Sequence, residues 1–140
     1  MNSKVLIIDD EPAIRSLLER ILTLDGFAVI TAGDFASGIA QAENDNIAVI
    51  VTDVKLPDGS GIELTRKIKA KFPDLEIIVI TAFGQIKDGV EAMKNGAFDY
   101  LVKGDDDDKL QLTVKRAYEK AMMNREVKER RSSVDCKYAV

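Results

Sequence analysis

Five short apolar runs divide the chain, at residues 5–8, 27–32, 48–51, 77–80 and 98–102. Those at 5–8, 48–51 and 77–80 are unbroken stretches of Ala, Val, Ile and Leu, too short for helices and rich in β-branched residues. That pattern marks strands buried on both faces of a parallel sheet. Between the runs the spacing turns helical. Ile14, Leu17, Leu18, Ile21 and Leu22 follow Pro12, which suits a first helical turn, and Asp25-Gly26 stops that helix. Asp34 is placed to cap a short helix carrying Ala36, Ile39, Ala40 and Glu43, which ends near Asn44-Asp45-Asn46. Leu64, Ile68 and Phe72 share one face of a helix over 62–72, closed by Pro73. Ile86, Val90 and Met93 predict the inward face of a helix over 85–94, closed by Asn95-Gly96, and Leu110, Val114, Ala117 and Ala121 mark a long last helix.

Strict alternation of strands and helices predicts an α/β domain, a parallel sheet with helices on both faces. Right-handed crossovers bring every strand's C-terminal end to one edge. Five such strands suit the doubly wound, flavodoxin-like order 2-1-3-4-5, whose switch point falls between the first and third strands. Asp9-Asp10, after the first strand, then lie beside Asp53, after the third, while Thr81 and Lys103 end the fourth and fifth.

Composition narrows the chemistry available there. The chain has 140 residues, one cysteine and no histidine. A lone Cys136 excludes an internal disulfide framework and fits a reducing cytoplasm, and zinc sites and histidine triads are excluded. A net charge of −4 argues against direct nucleic-acid binding by this segment. No apolar run approaches a membrane span, and the N-terminus does not read as a secretory signal. Carboxylates, hydroxyls, lysines and hard cations remain.

Each edge residue alone has an ordinary explanation: paired acids cap helices, a threonine after a strand turns the chain, a lysine is solvated. Together they define a job. Two carboxylates about 4 Å apart repel by roughly 4 kcal/mol at an effective dielectric near 20, so three crowded acids need compensating cations. Lys103 supplies one charge; Mg²⁺, which takes oxygen ligands from one or two carboxylates plus a phosphate, supplies the rest. Such a pocket suits phosphoryl transfer to a carboxylate, with Lys103 and Thr81 binding the phosphoryl oxygens.

The motifs Ile8-Asp9-Asp10-Glu11, Asp53-Val-Lys-Leu-Pro-Asp-Gly-Ser-Gly61, Ile80-Thr81-Ala82 and Gly96-Ala-Phe-Asp-Tyr-Leu-Val-Lys103 resemble, in order and spacing, the receiver domains of two-component response regulators. The likeness runs from Lys4 to about Met123, and its local sequence over 87–120 looks most like receivers of ATPase-type transcriptional activators. It implies a receiver over 1–124 followed by a helical extension and tail or linker over 125–140. Asp53 would accept phosphate from a sensor histidine kinase or phosphotransfer protein. Asp10 would bind Mg²⁺ directly, Asp9 mainly through water, and Lys55 through its backbone carbonyl; Thr81 and Tyr100 would form the switch. The face of the fourth helix, fifth strand and fifth helix would read that switch, for instance as a homodimer. Catalysis would be confined to the domain's own phosphorylation and dephosphorylation.

The chain departs from the resemblance at Lys103-Gly104, where family members usually have Lys-Pro; a trans bond is expected, since cis costs ~2.5–4 kcal/mol without proline. Lys55 and Phe83 occupy positions that tune acyl-phosphate lifetime, and the bulk of Phe83 points to a lifetime of minutes or longer. Gly89, inside the fourth helix, costs about 1 kcal/mol relative to alanine and suits a two-state element. The run Asp105–Asp108 favours a helix N-terminus, and no pattern is evident from Ser132 on. Competing readings are a single-domain phosphorelay or docking protein, a flavin or nucleotide binder, which should present glycines where Asp9-Asp10-Glu11 stand, and a Mg²⁺-dependent phosphohydrolase, which would leave Asp53 without a role.

Overall fold

The computed structural model describes residues 3–103 and 107–138, with backbone alone at 107 and 127–138. Five strands, β1 (Lys4–Ile8), β2 (Val29–Ala32), β3 (Ile47–Asp53), β4 (Glu76–Thr81) and β5 (Asp99–Val102), form one parallel sheet in the order 2-1-3-4-5. Helices α1 (Pro12–Leu24), α2 (Phe35–Asn44), α3 (Gly61–Lys71), α4 (Ile86–Lys94) and α5 (Asp107–Tyr138) complete the alternation. The doubly wound fold expected from periodicity is the fold observed. One element was not anticipated: the loop after β3 makes a two-residue antiparallel ribbon, Lys55–Leu56 against Gly59–Ser60.

Successive strand residues point to opposite faces, so each buried strand feeds two cores. Leu6, Ile8, Ile50, Ile77 and Val79 meet Leu64 and Ile68 of α3 and Ala42 of α2 on one side. Val5, Ile7, Val49, Val51, Ile78 and Ile80 meet Leu18 and Leu22 of α1 and Leu110, Val114, Ala117 and Ala121 of α5 on the other. Burial of both faces explains why these strands read as solid apolar runs. Asp34 caps α2, accepting the Ser37 N–H at 2.7 Å, as its type and place predict.

The inward face expected for α4 is corrected. Ile86, Val90 and Met93 are 88%, 47% and 51% exposed. The neighbouring stripe, Gly89 and Ala92, lies against the sheet: Ala92 is fully buried, and a Cβ on Gly89 would come 3.1 Å from the Tyr100 ring. Periodicity located the helix; it did not say which stripe the sheet covers. In α2 the buried residues are Gly38 and Ala42, with Ile39 packed against the same core.

At the other end of the sheet a polar cluster holds α5. Glu76, 3% exposed at the start of β4, accepts from Asn124 Nδ2 at 2.9 Å and lies 3.6 Å from Lys69 Nζ. Arg125 donates to Ser3 Oγ, Asn46 Oδ1 and the Ile47 carbonyl. In the sequence Arg125 falls in the charged helical extension expected over 125–140, with nothing to mark it as anchored. The helix also continues through 132–138, where no pattern was expected.

Candidate functional site

Asp9 follows β1 directly, Asp53 ends β3, Thr81 ends β4 and Lys103 follows β5. Parallel pairing brings them to one rim: Ile8 pairs with Thr52, Asp53 with Ile80, and Thr81 with Val102. The Lys103 N–H donates to the Thr81 carbonyl at 2.7 Å, locking the last two strand ends together.

Three carboxylates converge there. Asp9, Asp10 and Asp53 each offer an oxygen, all within 4.8 Å of one another. Asp9 is fully buried, Asp53 is 7% exposed and Asp10 is exposed. Lys103 Nζ lies 2.8 Å from Asp9 Oδ2 and donates to Asp53 Oδ2 at 3.0 Å. Asp9 Oδ1 accepts the Glu11 N–H at 2.9 Å, whereas buried Asp9 Oδ2 has no directed hydrogen bond, only the ammonium charge beside it. Burial raises the Asp53 pKa above 3.8; Lys103 works against this and Asp9 adds to it. Burial alone would lower the Lys103 pKa, but the contacts to Asp9 and Asp53 outweigh it and the net shift is upward. One ammonium against three acids leaves negative charge in excess, with an acceptor oxygen to spare. This donor set fits a hard divalent cation.

The surrounding backbone keeps Asp53 in place. The Lys55 N–H lies 3.4 Å from Asp53 Oδ1, and Gly61 N donates to the Val54 carbonyl at 2.8 Å. A Cβ at Gly61 would overlap the Asp53 carbonyl oxygen, so only glycine lets α3 start this close to the end of β3. Lys55 Nζ sits 5.9 Å over the Phe83 ring, linking the loops after β3 and β4.

Thr81 stands at the rim, but its hydroxyl donates to the Phe83 carbonyl at 3.2 Å and accepts the Phe83 N–H at 3.1 Å. Tyr100 is half-buried against α4, its hydroxyl enclosed without a hydrogen-bond partner. Replacing a buried orphan hydroxyl by hydrogen is favourable. Tyr100→Phe is therefore expected to stabilise the metal-free protein by about 1 kcal/mol, read from urea unfolding; a loss of stability would mean the hydroxyl is satisfied in solution.

The sequence reading missed two supports. Arg15 Nη1 donates to the Asp9 carbonyl at 2.7 Å, and nothing in the sequence distinguished it from the other charges of α1. Asp58, at the ribbon tip, accepts the N–H groups of Phe35 and Ala36 at 2.7 and 3.1 Å, which hold its pKa below 3.8. The Lys103–Gly104 peptide and residues 105–106 lie outside the described residues.

Residues 5–115 match the family described as the response regulator receiver domain. The chain belongs to that family, and its place is in two-component signalling. The acid tolerance regulatory protein ActR of Rhizobium meliloti is 38% identical over 120 residues, 85% of this chain and 62% of the relative. The C4-dicarboxylate transport transcriptional regulatory protein DctD of the same species is 34% identical over 116 residues, 83% of this chain and 25% of DctD. The receiver thus spans less than two thirds of the length of these curated relatives. Among solved structures, the beryllofluoride-activated NtrC4 receiver domain dimer superposes with a TM-score of 0.79 at 36% identity, covering 84% of this chain and 98% of that one. Receivers of this family are generally not enzymes. Among the described residues no helix is long and apolar enough to cross a membrane.

Proposed function

We propose that this receiver is a phosphorylation-controlled switch. Asp53 takes a phosphoryl group from a phosphohistidine of a sensor kinase or phosphotransfer protein. The observation that carries the reading is the ammonium of Lys103 shared between Asp9 and Asp53 within a three-carboxylate cluster. An Asp53 oxygen forms the new O–P bond as the P–N bond breaks, and the electron pair leaves with the imidazole nitrogen. Asp9, Asp10, Asp53 and the Lys55 carbonyl would hold Mg²⁺, which when bound supplies positive charge against the phosphoryl oxygens. Lys103 stays as a fixed counter-charge at the acceptor. Thr81 exchanges its bonds to Phe83 for one to the phosphoryl group, and Tyr100, which pairs with Val79 two residues before Thr81, responds.

The readout face is that of α4, β5 and α5. Exposed Ile86, Val90 and Met93 line an open apolar groove of about 840 Å³ floored by Gly89, Tyr100 and Val102. Association of two copies there, within a cytoplasmic transcriptional regulator or a docking protein, is the output most consistent with an unpartnered apolar surface. The Lys55–Phe83 contact, which joins the loops after β3 and β4, supports slow hydrolysis of the acyl phosphate.

The test is incubation with phosphoramidate and Mg²⁺ followed by intact mass. One added phosphoryl group is expected, decaying over minutes or longer after the donor is removed; no addition, with Mg²⁺ saturating, would overturn the reading.

A further inference from the structure

The α2 N-terminus has two acidic caps where one is usual. Asp34, the local N-cap, satisfies the Ser37 N–H. Asp58 comes from more than twenty residues further along the chain to take the N–H groups of Phe35 and Ala36. Asp34 answers one of the N–H groups left open at the start of α2, and Asp58 answers two others. The same two bonds hold Asp58's own ribbon. A tight turn places Asp58 between Leu56 and Gly59, which pair with each other, and Lys55 pairs with Ser60 one step closer to β3. The Phe35 ring closes on the same turn: a Cβ at Gly59 would come 2.7 Å from its Cδ2. The ribbon is therefore pinned at its tip to α2 and at its base to β3, through Lys55 N–H to Asp53 and Gly61 N–H to Val54. Lys55 itself carries one of the base pins, and its pairing with Ser60 ties it to the strand that leads back from the tip.

We propose that Asp58 is a positioning residue for the cation site: by gripping the start of α2 it fixes the ribbon, and so the backbone of Lys55 beside Asp53. This rests on the phosphoacceptor reading above, in which the Lys55 carbonyl is a cation ligand. Without that grip the Lys55 backbone samples other positions, and the cation loses an oxygen already in place. Partners that orient a ligand are typically worth 10–100-fold in metal affinity.

The test is Mg²⁺ titration of the intact chain by calorimetry for wild type, Asp58→Ala, Asp58→Asn and Asp34→Ala. Asp58→Ala is expected to weaken Mg²⁺ binding on the order of 10-fold. Asp58→Asn keeps one acceptor oxygen and should fall between it and wild type. Asp34→Ala removes a cap from the same helix without touching the ribbon, and should leave Mg²⁺ affinity unchanged while lowering stability. Phosphorylation by phosphoramidate adds a second readout: the Asp58→Ala defect should appear in the Mg²⁺ concentration required and vanish at saturating Mg²⁺. Equal Mg²⁺ affinity in wild type and Asp58→Ala overturns the positioning role, as does an equal loss in Asp34→Ala, which would trace the effect to α2 itself. If wild type binds no Mg²⁺ and takes up no phosphoryl group, the phosphoacceptor reading fails instead.

Discussion

Asp53→Asn removes all phosphoryl incorporation and, in metal-free buffer near neutral pH, leaves the protein more stable than wild type. The first effect is chemical, because a carboxamide offers no anionic oxygen to form the O–P bond. The second follows from where the acid sits. Burial raises its pKa, and neighbouring Asp9 adds to the rise despite the contact to Lys103. A group whose pKa is higher folded than unfolded contributes stability that is fully present below the unfolded value, here 3.8, and lost as pH rises through the folded value. The gap between variant and wild type should accordingly be small in acid, widen as pH climbs past 3.8, and reach on the order of 1 kcal/mol at neutrality, a usual gain when strain at a functional site is relieved. Saturating Mg²⁺ should narrow it again, since the cation stabilises the native site of wild type more than that of the variant. Urea unfolding across pH, with intact mass, measures both effects. A variant that still gains phosphate, or that is less stable at neutral pH, contradicts this assignment of Asp53.

Lys103→Met should act in the opposite direction, and strongly. Among the described residues its ammonium is the one ion-paired with the carboxylate of fully buried Asp9, at 2.8 Å, and it also serves Asp53. Deleting one partner of a buried pair leaves the other charge uncompensated, which typically costs 3–5 kcal/mol. Lys103 is slightly open to solvent, so the lower end, about 3 kcal/mol, is expected. Its pKa is raised, so the stability it contributes is fully present below 10.5 and is lost only as pH rises through the still higher folded value. Wild type should therefore keep its advantage throughout neutral pH. Mg²⁺ should recover part of the loss by replacing the missing positive charge, without restoring normal phosphorylation. Denaturant midpoints with and without Mg²⁺ decide the matter; an unchanged midpoint in metal-free buffer would mean that Asp9 does not depend on this amine.

The sheet and the rim cluster were legible because each rests on a short-range signal. Buried parallel strands must be solid apolar runs, and parallel connectivity must deliver Asp9, Asp53, Thr81 and Lys103 to one edge. What escaped the sequence depends on partners far along the chain. Asp58 looked like one more turn residue, because its acceptors are needed by a helix more than twenty residues before it. Arg125 lay in a charged helical extension with few apolar anchors until the fold set Ser3, Asn46 and Ile47 beside it, and nothing in the sequence marked Glu76 as the partner of Asn124 and Lys69. On α4 the large apolar residues drew attention from Gly89 and Ala92, although close approach to a sheet selects small side chains.

That choice of small residues leaves α4 thinly fastened. Only Ala92 of its nine residues is buried, whereas α5 sinks Leu110, Val114, Ala117 and Ala121 like a row of pegs. Elements with little buried apolar surface open first in local fluctuations. In hydrogen–deuterium exchange the amides of α4 should trade their protons well before those of 110–121, and equal protection would contradict this. The slat that carries the groove can thus lift and reseat while the rest of the frame stays shut.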